Sequence, residues 1–430
     1  MTAHLMSPLP KVEVILAGTV SFGTLQERRL LAVRFLSSQP AKSVPGKGDG
    51  ALDKPVRSNV KHAVGAQDKG YGNATSEECD LFEGEWVPNP SGPGYTNETC
   101  NLIDPRQGCM TNGRPDTGYL YWRWSPRGCE LPRFDARRFL DFMRNKAWAF
   151  VGDSISRNHC QSLLCLLSVV ESPIRLYDDE YNVRYHFPSF NLSISVIWSP
   201  FLVKAAIFEN HAGVSTSEPE VHLDELDPNW NDLFLSLDYA IISTGQWFPK
   251  HSIYYMNGTV IGCHNCNRTR TNATQLHFDT AYQKVLRHVM DRVATSGHRG
   301  TIFFQTMTPQ HFENGEWNDG GTCSRTSPSK AGEFTLKEMN RVLQGIELGE
   351  FKQGKSKADK NGVDLKLLDF TDMNLMRPDG HPGRYGRPHP SEDKRAPNDC
   401  LHWCLPGPID AWNDVIMQIA VNTARPGELR

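Results

Sequence analysis

An apolar run, Ala147-Trp148-Ala149-Phe150-Val151, stops at Gly152-Asp153-Ser154 and gives way to a helical stretch from Ile155 to Val170. A short buried-type strand that runs straight into a helix is the opening of a β–α unit, and it restricts the chain to folds that alternate the two. The alternation continues with strand-like runs at Ile194–Trp198, Tyr239–Ser243, Thr301–Thr306 and Leu365–Phe370. Between them Tyr282, Val285, Leu286, Val289, Met290 and Val293 recur at three- and four-residue spacing, the signature of an amphipathic helix. Weaker helical patterns cover Phe334–Leu348 and Ile409–Ala424, with Asp410 at the positive end of the latter. The expected fold class is α/β, a mainly parallel sheet with helices on both faces. Ligands bind such sheets beyond the carboxyl ends of the strands, which is where Ser154 falls.

A serine at a strand-to-helix turn projects its hydroxyl from the sheet edge, with the first amides of the helix close by. Late in the chain Asp399 lies three residues before His402. That spacing lets both side chains share one face of a turn, so that the carboxylate orients the imidazole. Ser154 as nucleophile, His402 as base and Asp399 as its carboxylate predict acyl transfer through a serine ester. The structural alternatives are a helix-capping role for Ser154 and a merely structural His402 between Cys400 and Cys404. Asp153 is expected to brace the turn. The amide of Ser154 is the natural first oxyanion donor, and Gly245 and Gln246, directly after another strand, are candidates to join it. Arg157 and Asn158, one helical turn past Ser154, are candidate contacts to donor or acceptor. His381, in Arg377-Pro378-Asp379-Gly380-His381-Pro382-Gly383, is expected to be a loop or substrate contact. Trp247 and Trp403 are candidate walls of a substrate groove, with core packing as the alternative.

The net charge of −3 gives no nucleic-acid footprint. Eleven cysteines and six N-x-S/T sequons, at Asn73, Asn97, Asn191, Asn257, Asn267 and Asn272, point together to an oxidising secretory compartment. Cys263-x-x-Cys266 has zinc as a rival reading. The only close pair accompanying it is Cys400-x-x-x-Cys404, so disulfides are expected and no metal. An odd cysteine count leaves at least one thiol over. Residues 1–36 are expected to be an atypical targeting region: the apolar run Val12 to Leu25 is too short and polar for a membrane-spanning helix. Residues 37–78, rich in Pro, Gly, Lys, Ser and Asp, read as a flexible stalk. A cysteine-rich segment at 79–131 and a catalytic domain at 132–425 complete the expected organisation.

Five landmarks in order carry a family resemblance: Cys79-Asp80-Leu81-Phe82-Glu83-Gly84-Glu85-Trp86-Val87, Gly113-Arg114-Pro115-Asp116, Trp122-Arg123-Trp124, Phe150-Val151-Gly152-Asp153-Ser154-Ile155-Ser156-Arg157-Asn158 and Asn398-Asp399-Cys400-Leu401-His402-Trp403-Cys404-Leu405-Pro406-Gly407. From Cys79 to about Asn422 the chain resembles the plant trichome-birefringence-like proteins, a polysaccharide O-acetyltransferase (PC-esterase) family. The resemblance implies a three-layer SGNH/GDSL-like core with a disulfide-stapled N-terminal segment packed on it. It also implies a triad carried onto Ser154, His402 and Asp399, and bridges Cys79–Cys129, Cys100–Cys165, Cys109–Cys404 and Cys323–Cys400. A local bridge Cys263–Cys266 would leave Cys160 free. A Golgi lumen enzyme is implied, moving acetyl groups from an acetyl donor onto a cell-wall polysaccharide with no bound cofactor. An N-terminal membrane anchor is expected of the family but is not evident here. Gly262-Cys263-His264-Asn265-Cys266 and the surroundings of Tyr95-Thr96-Asn97 resemble the branch acting on xyloglucan; xylan and mannan are the other acceptors. An acetyl-esterase and a non-catalytic glycan-binding protein are the rival functions.

Overall fold

A computed structural model describes residues 79–423, apart from 180–181, 210–214, 267–272, 389 and 391–396. The expected targeting region and stalk, and the sequons at Asn73, Asn267 and Asn272, lie outside the described residues. A hairpin of β1 (Asp80–Pro88) and β2 (Trp122–Arg127) opens the described chain, with Trp86 opposite Trp124 and Cys79 bridged to Cys129 at its open end.

The main sheet contains β3 (Ala147–Gly152), β4 (Ile174–Asp178), β5 (Val183–Phe187), β6 (Leu192–Trp198), β9 (Tyr239–Ser243), β12 (Thr301–Gln305) and β13 (Asp364–Leu368). Its order is β13-β12-β9-β3-β6-β5-β4. The five strands from β13 to β6 are parallel and correspond to the five expected apolar runs. They read clearly because strands buried on both faces are nearly continuous apolar segments. The antiparallel edge, β5 and β4, was not anticipated; every residue of β4 is exposed, so no apolar run marks it. A second, four-stranded sheet was also missed: β7 (Val203–Ala206), β8 (Glu220–Leu226), β10 (Ser252–Met256) and β11 (Thr259–His264), in the order β11-β10-β8-β7.

The period-two alternation of β3 builds the layers. Trp148 and Phe150 point into a core shared with α1 (Ala136–Phe142), α2 (Ser154–Ser168) and α5 (Asp410–Thr423). Ala149 and Val151 point the other way, into a core completed by α3 (Phe278–Ala294) and α4 (Glu338–Lys360). Helix α4 corrects the expected Phe334–Leu348. It starts later, and its polar second half is held by tertiary contacts rather than by an apolar stripe. Glu350, nearly fully buried, accepts hydrogen bonds from Gln283 (3.0 Å) and Arg287 (2.8 Å) on α3. Among the described residues no helix is long and apolar enough to cross a membrane.

Five disulfides join the pairs the resemblance implies, and Cys160 is free and buried. Two of them tie the N-terminal segment to the α/β core, Cys100 to Cys165 on α2 and Cys109 to Cys404. Tyr95 adds a hydrogen bond to Asp410 at 2.9 Å and Trp86 one to the Met373 carbonyl at 2.9 Å.

Candidate active site

The turn after β3 is shaped by close approach. Gly152 lies in register with Ser243 on β9, and a Cβ there would sit 1.9 Å from the Ser243 carbonyl oxygen. Asp153, not Ser154, is the helix cap: its Oδ1 accepts from the Ile155 amide at 2.9 Å. Ser154 is the first residue of α2, half-buried, and its Oγ is 2.7 Å from His402 Nε2. His402 Nδ1 is 2.9 Å from Asp399 Oδ2, while Asp399 Oδ1 accepts from the amides of His402 (3.0 Å) and Leu401 (3.2 Å). A carboxylate cannot donate, so the arrangement fixes the tautomer: Nδ1–H points to Asp399 and the Nε2 lone pair faces the Ser154 hydroxyl.

Electrostatics follow the same geometry. Burial works to raise the Asp399 carboxyl, but the His402 charge and the hydrogen bonds from His402 and Leu401 hold it well below the usual carboxylate range. Burial works against the His402 imidazolium, yet Asp399 outweighs it and leaves His402 above its ordinary value. Asp153 is raised by burial.

The loop carrying His402 is braced by disulfides and by backbone hydrogen bonds. Cys400 and Cys404 are bridged to Cys323 and Cys109, and Asp399 and Gly383 exchange backbone hydrogen bonds of 2.7 and 3.0 Å. Three expected substrate contacts turn out to belong to this bracing. Asn158 is fully buried; its side chain accepts from the Trp403 amide at 2.8 Å and donates to the Trp403 carbonyl at 3.3 Å. Its position on α2 turns it inward, under the loop. Trp403 is fully buried too, a core residue and not a groove wall, stacked on His381 with ring centroids 4.3 Å apart. His381 is buried against the backbone of His402, its Nδ1 2.7 Å from the His402 carbonyl oxygen.

His311, which no local motif marks, completes that arrangement: its Nδ1 is 2.7 Å from His381 Nε2 and its Nε2 is 3.1 Å from the Leu375 carbonyl. Burial pushes His311 down to about 4 and, with His311 beside it, drives His381 well below the usual histidine value. A neutral pair has two N–H groups for three contacts. A carbonyl oxygen can only accept, so the His381 tautomer that satisfies the His402 carbonyl carries its proton on Nδ1. His381→Phe keeps a ring to stack on Trp403 but removes that donor. Leaving a buried acceptor unpaired costs about 1–3 kcal/mol, so kcat is expected to fall about tenfold or more. His381→Asn, which restores a donor without the stack, should recover part of the loss in steady-state kinetics.

The turn is held from the N-terminal segment as well. Arg114 donates to the carbonyls of Asp379 (2.7 Å) and His381 (3.0 Å), and Arg377 pairs with Asp379 at 2.8 Å, both side chains buried. Arg114 stood in a recognised landmark, so the sequence carried its signal; its target did not. Gln246 donates to the Thr308 carbonyl at 2.7 Å. Gly245 sits over Glu347 and Tyr282, whose side chains are hydrogen-bonded at 2.6 Å; burial raises Glu347 to about 8. Trp247 is half-buried, edge-on to Trp198, with Lys250 Nζ 3.6 Å from its ring centre. Arg157 is half-buried, 5.6 Å over the Trp198 ring. No group of three or more His, Cys, Asp or Glu side chains able to hold a metal ion occurs among the described residues.

A serine, histidine and aspartate joined in series at the carboxyl edge of a three-layer sheet is the arrangement of serine acyl-transfer enzymes. Residues 131–419 match the PC-Esterase family, described as a GDSL/SGNH-like acyl-esterase family found in Pmr5 and Cas1p, and residues 77–130 match the PMR5 N-terminal domain. The chain belongs to the PC-Esterase family. It is similar to protein trichome birefringence-like 23 of Arabidopsis thaliana, 54% identical over 80% of this chain and 81% of that protein. It is also similar to xyloglucan O-acetyltransferase 1 of Arabidopsis thaliana (40% identical over 79% of this chain and 80% of that protein). The Populus trichocarpa protein of that name is 39% identical, over 86% of each chain.

Proposed function

We propose that the protein is an O-acetyltransferase that moves acetyl groups through an acetyl-Ser154 intermediate onto hydroxyls of a plant cell-wall polysaccharide, xyloglucan before xylan or mannan. The observation that carries the reading is the hydrogen-bonded series Ser154–His402–Asp399, with contacts of 2.7 and 2.9 Å, in a chain related to xyloglucan O-acetyltransferases.

His402 Nε2 takes the Ser154 proton as Oγ attacks the carbonyl carbon of the acetyl donor, and returns that proton to the leaving group. An acceptor hydroxyl then gives its proton to His402 and attacks the acetyl-serine carbonyl. The acetyl ester forms on the glycan and the proton goes back to Ser154 Oγ. Asp399 keeps the imidazole in the required tautomer and stabilises its cation in both halves. The amides of Ser154 and Gly245 are proposed to hold the developing oxyanion, with Gln246 orienting the Gly245 turn. The acetyl donor is a co-substrate and not a resident cofactor. The Golgi lumen is the proposed compartment, supported by five disulfides and by exposed sequon asparagines at Asn97, Asn191 and Asn257.

The acyl-esterase description of the family favours one second reading, in which water replaces the glycan hydroxyl. Incubation with 4-nitrophenyl acetate and xyloglucan oligosaccharides separates the two: acetylated oligosaccharide by mass spectrometry supports transfer, acetate alone supports hydrolysis. Ser154→Ala is expected to abolish both products, together with the acetylated Ser154 peptide trapped by acid quench. Undiminished product from Ser154→Ala would overturn the mechanism; glycan binding without any turnover would favour a lectin-like protein.

A further inference from the structure

Under the carboxyl edge of the main sheet lies a buried acid with no part in the proton transfers at Ser154 and His402. Glu347, on α4, is fully buried. Among the described residues it is bonded by neutral groups alone. Its Oε1 is 2.6 Å from Tyr282 Oη on α3, and the Met307 amide lies 3.1 Å from its Oε2 and 3.2 Å from its Oε1. Buried carboxylates are paired with cations, and Glu347 has none beside it. The setting therefore favours the neutral acid, in the direction that burial pulls.

A neutral acid carries a proton that needs an acceptor. Tyr282 Oη, 2.6 Å from Oε1, takes it. The Tyr282 hydroxyl must then donate elsewhere, and the Thr244 carbonyl oxygen lies 3.3 Å from Oη. Oε2 is left to accept from Met307. Each proton in the series Glu347, Tyr282, Thr244 carbonyl then has a partner. In the ionised form Tyr282 would donate to Glu347, and the Thr244 carbonyl would lose this bond.

The far end of the series matters because the Thr244 carbonyl belongs to the peptide that carries the Gly245 N–H. A trans peptide is planar, so holding its carbonyl fixes the direction of the N–H on the opposite side. Donation to the carbonyl also strengthens that N–H as a donor. The Gly245 amide has no hydrogen-bond acceptor among the described residues. It follows β9 at the edge where Ser243 is in register with Gly152, next to the turn that carries Ser154. A Cβ on Gly245 would lie 3.3 Å from Glu347 Oε1 and 3.3 Å from Tyr282 Oη, so this backbone rests on the acid and phenol. We infer that Glu347 and Tyr282 are positioning residues for acyl transfer, holding the Thr244–Gly245 peptide from the core side so that its N–H faces the oxyanion. The role rests on the serine-ester reading, because it concerns the oxyanion of that reaction.

The full chain is tested with 4-nitrophenyl acetate. Tyr282→Phe keeps the ring and removes the hydroxyl. Its kcat is expected to fall at least about tenfold, less than the roughly 10²–10³ for loss of a whole oxyanion donor, with KM changed by no more than about twofold. Glu347→Gln offers an N–H to Tyr282 and an oxygen to Met307, as the neutral acid does, and should keep kcat within about threefold. Glu347→Met offers neither and should fall with Tyr282→Phe. A merely structural pair would lower the melting temperature and leave the kcat of the folded protein unchanged. Protonation is read separately by NMR of the parent isotopically labelled at glutamate Cδ. The resonance missing from Glu347→Gln is expected at the shift of a neutral acid at neutral pH; a carboxylate shift overturns the inference, even if Tyr282→Phe and Glu347→Met do not fold. Parent kcat in folded Tyr282→Phe, or a Glu347→Gln as slow as Glu347→Met, overturns the positioning role while the serine-ester reading stands. If the parent itself forms no acetyl-Ser154, that reading falls and the positioning role with it.

Discussion

Asp399→Asn is expected to lower kcat for acetyl transfer by about 10³–10⁴-fold while leaving the KM for the acceptor near its original value. The carboxylate accepts from His402 Nδ1 at 2.9 Å and from two loop amides. An asparagine amide can turn an N–H toward Nδ1 instead. The ring then carries its proton on Nε2, where it opposes the Ser154 proton that has to be taken. Acceptor binding does not involve Asp399, so the loss falls on the chemical step.

The pH profile adds an independent check. In the proposed mechanism His402 works only as neutral imidazole, and Asp399 holds the imidazolium above its ordinary pKa despite burial. kcat/KM is therefore expected to rise with pH through a value above the unperturbed ~6.5 and to level off on the alkaline side. In Asp399→Asn the carboxylate that stabilises the cation is gone, so the midpoint of the residual activity should move to lower pH. A residual rate that keeps the parent midpoint would mean that Asp399 does not act through His402.

Gly152→Ala is expected to be the most damaging single-methyl substitution near the site. The added Cβ would meet the Ser243 carbonyl oxygen at 1.9 Å and Ser156 Oγ at 2.5 Å, at a backbone φ of +150°. The Ser156 hydroxyl can turn aside, but the Ser243 carbonyl is backbone of β9 and cannot. Overpacking of this kind costs about 1–3 kcal/mol, and the strained φ adds about 1–3 more. A native state worth about 5–15 kcal/mol loses much of its margin. Gly258→Ala is the control: its φ of +69° is also left-handed, but its Cβ would meet nothing within 4 Å, so only the conformational cost applies, about 1–2 kcal/mol. Melting temperatures compare the two. Equal shifts would show that contact with Ser243 does not dictate the glycine.

The two halves of the site differed in how visible they were. The Gly152-Asp153-Ser154 turn was legible because it ends a strand buried on both faces, and a continuous apolar run announces such a strand. The role of Asp153 was legible for the same local reason: a carboxylate at a helix start has few partners other than the first amides. The fate of Asn158, Trp403 and His381 was not. Each looked polar or aromatic and close to the chemistry, and each is buried against the loop that carries His402. Which way a side chain turns on α2, or on a loop fixed by Cys109–Cys404 and Cys323–Cys400, depends on what is packed opposite it. His311 had no local signal at all; its partner is 70 residues away.

What the sequence by itself determined, then, are the properties that neighbouring residues settle between themselves. These are the five parallel strands, the amphipathic helices, the strand-to-helix serine and the three-residue step from Asp399 to His402. Tertiary structure decided the meeting of Ser154 with His402 across 248 residues, the antiparallel edge and second sheet, and the packing of expected substrate contacts against the loop that carries His402. The reason is range. Periodicity and capping act over a few residues, whereas burial and hydrogen-bond pairing in the core depend on surfaces that exist only once distant segments have closed on one another.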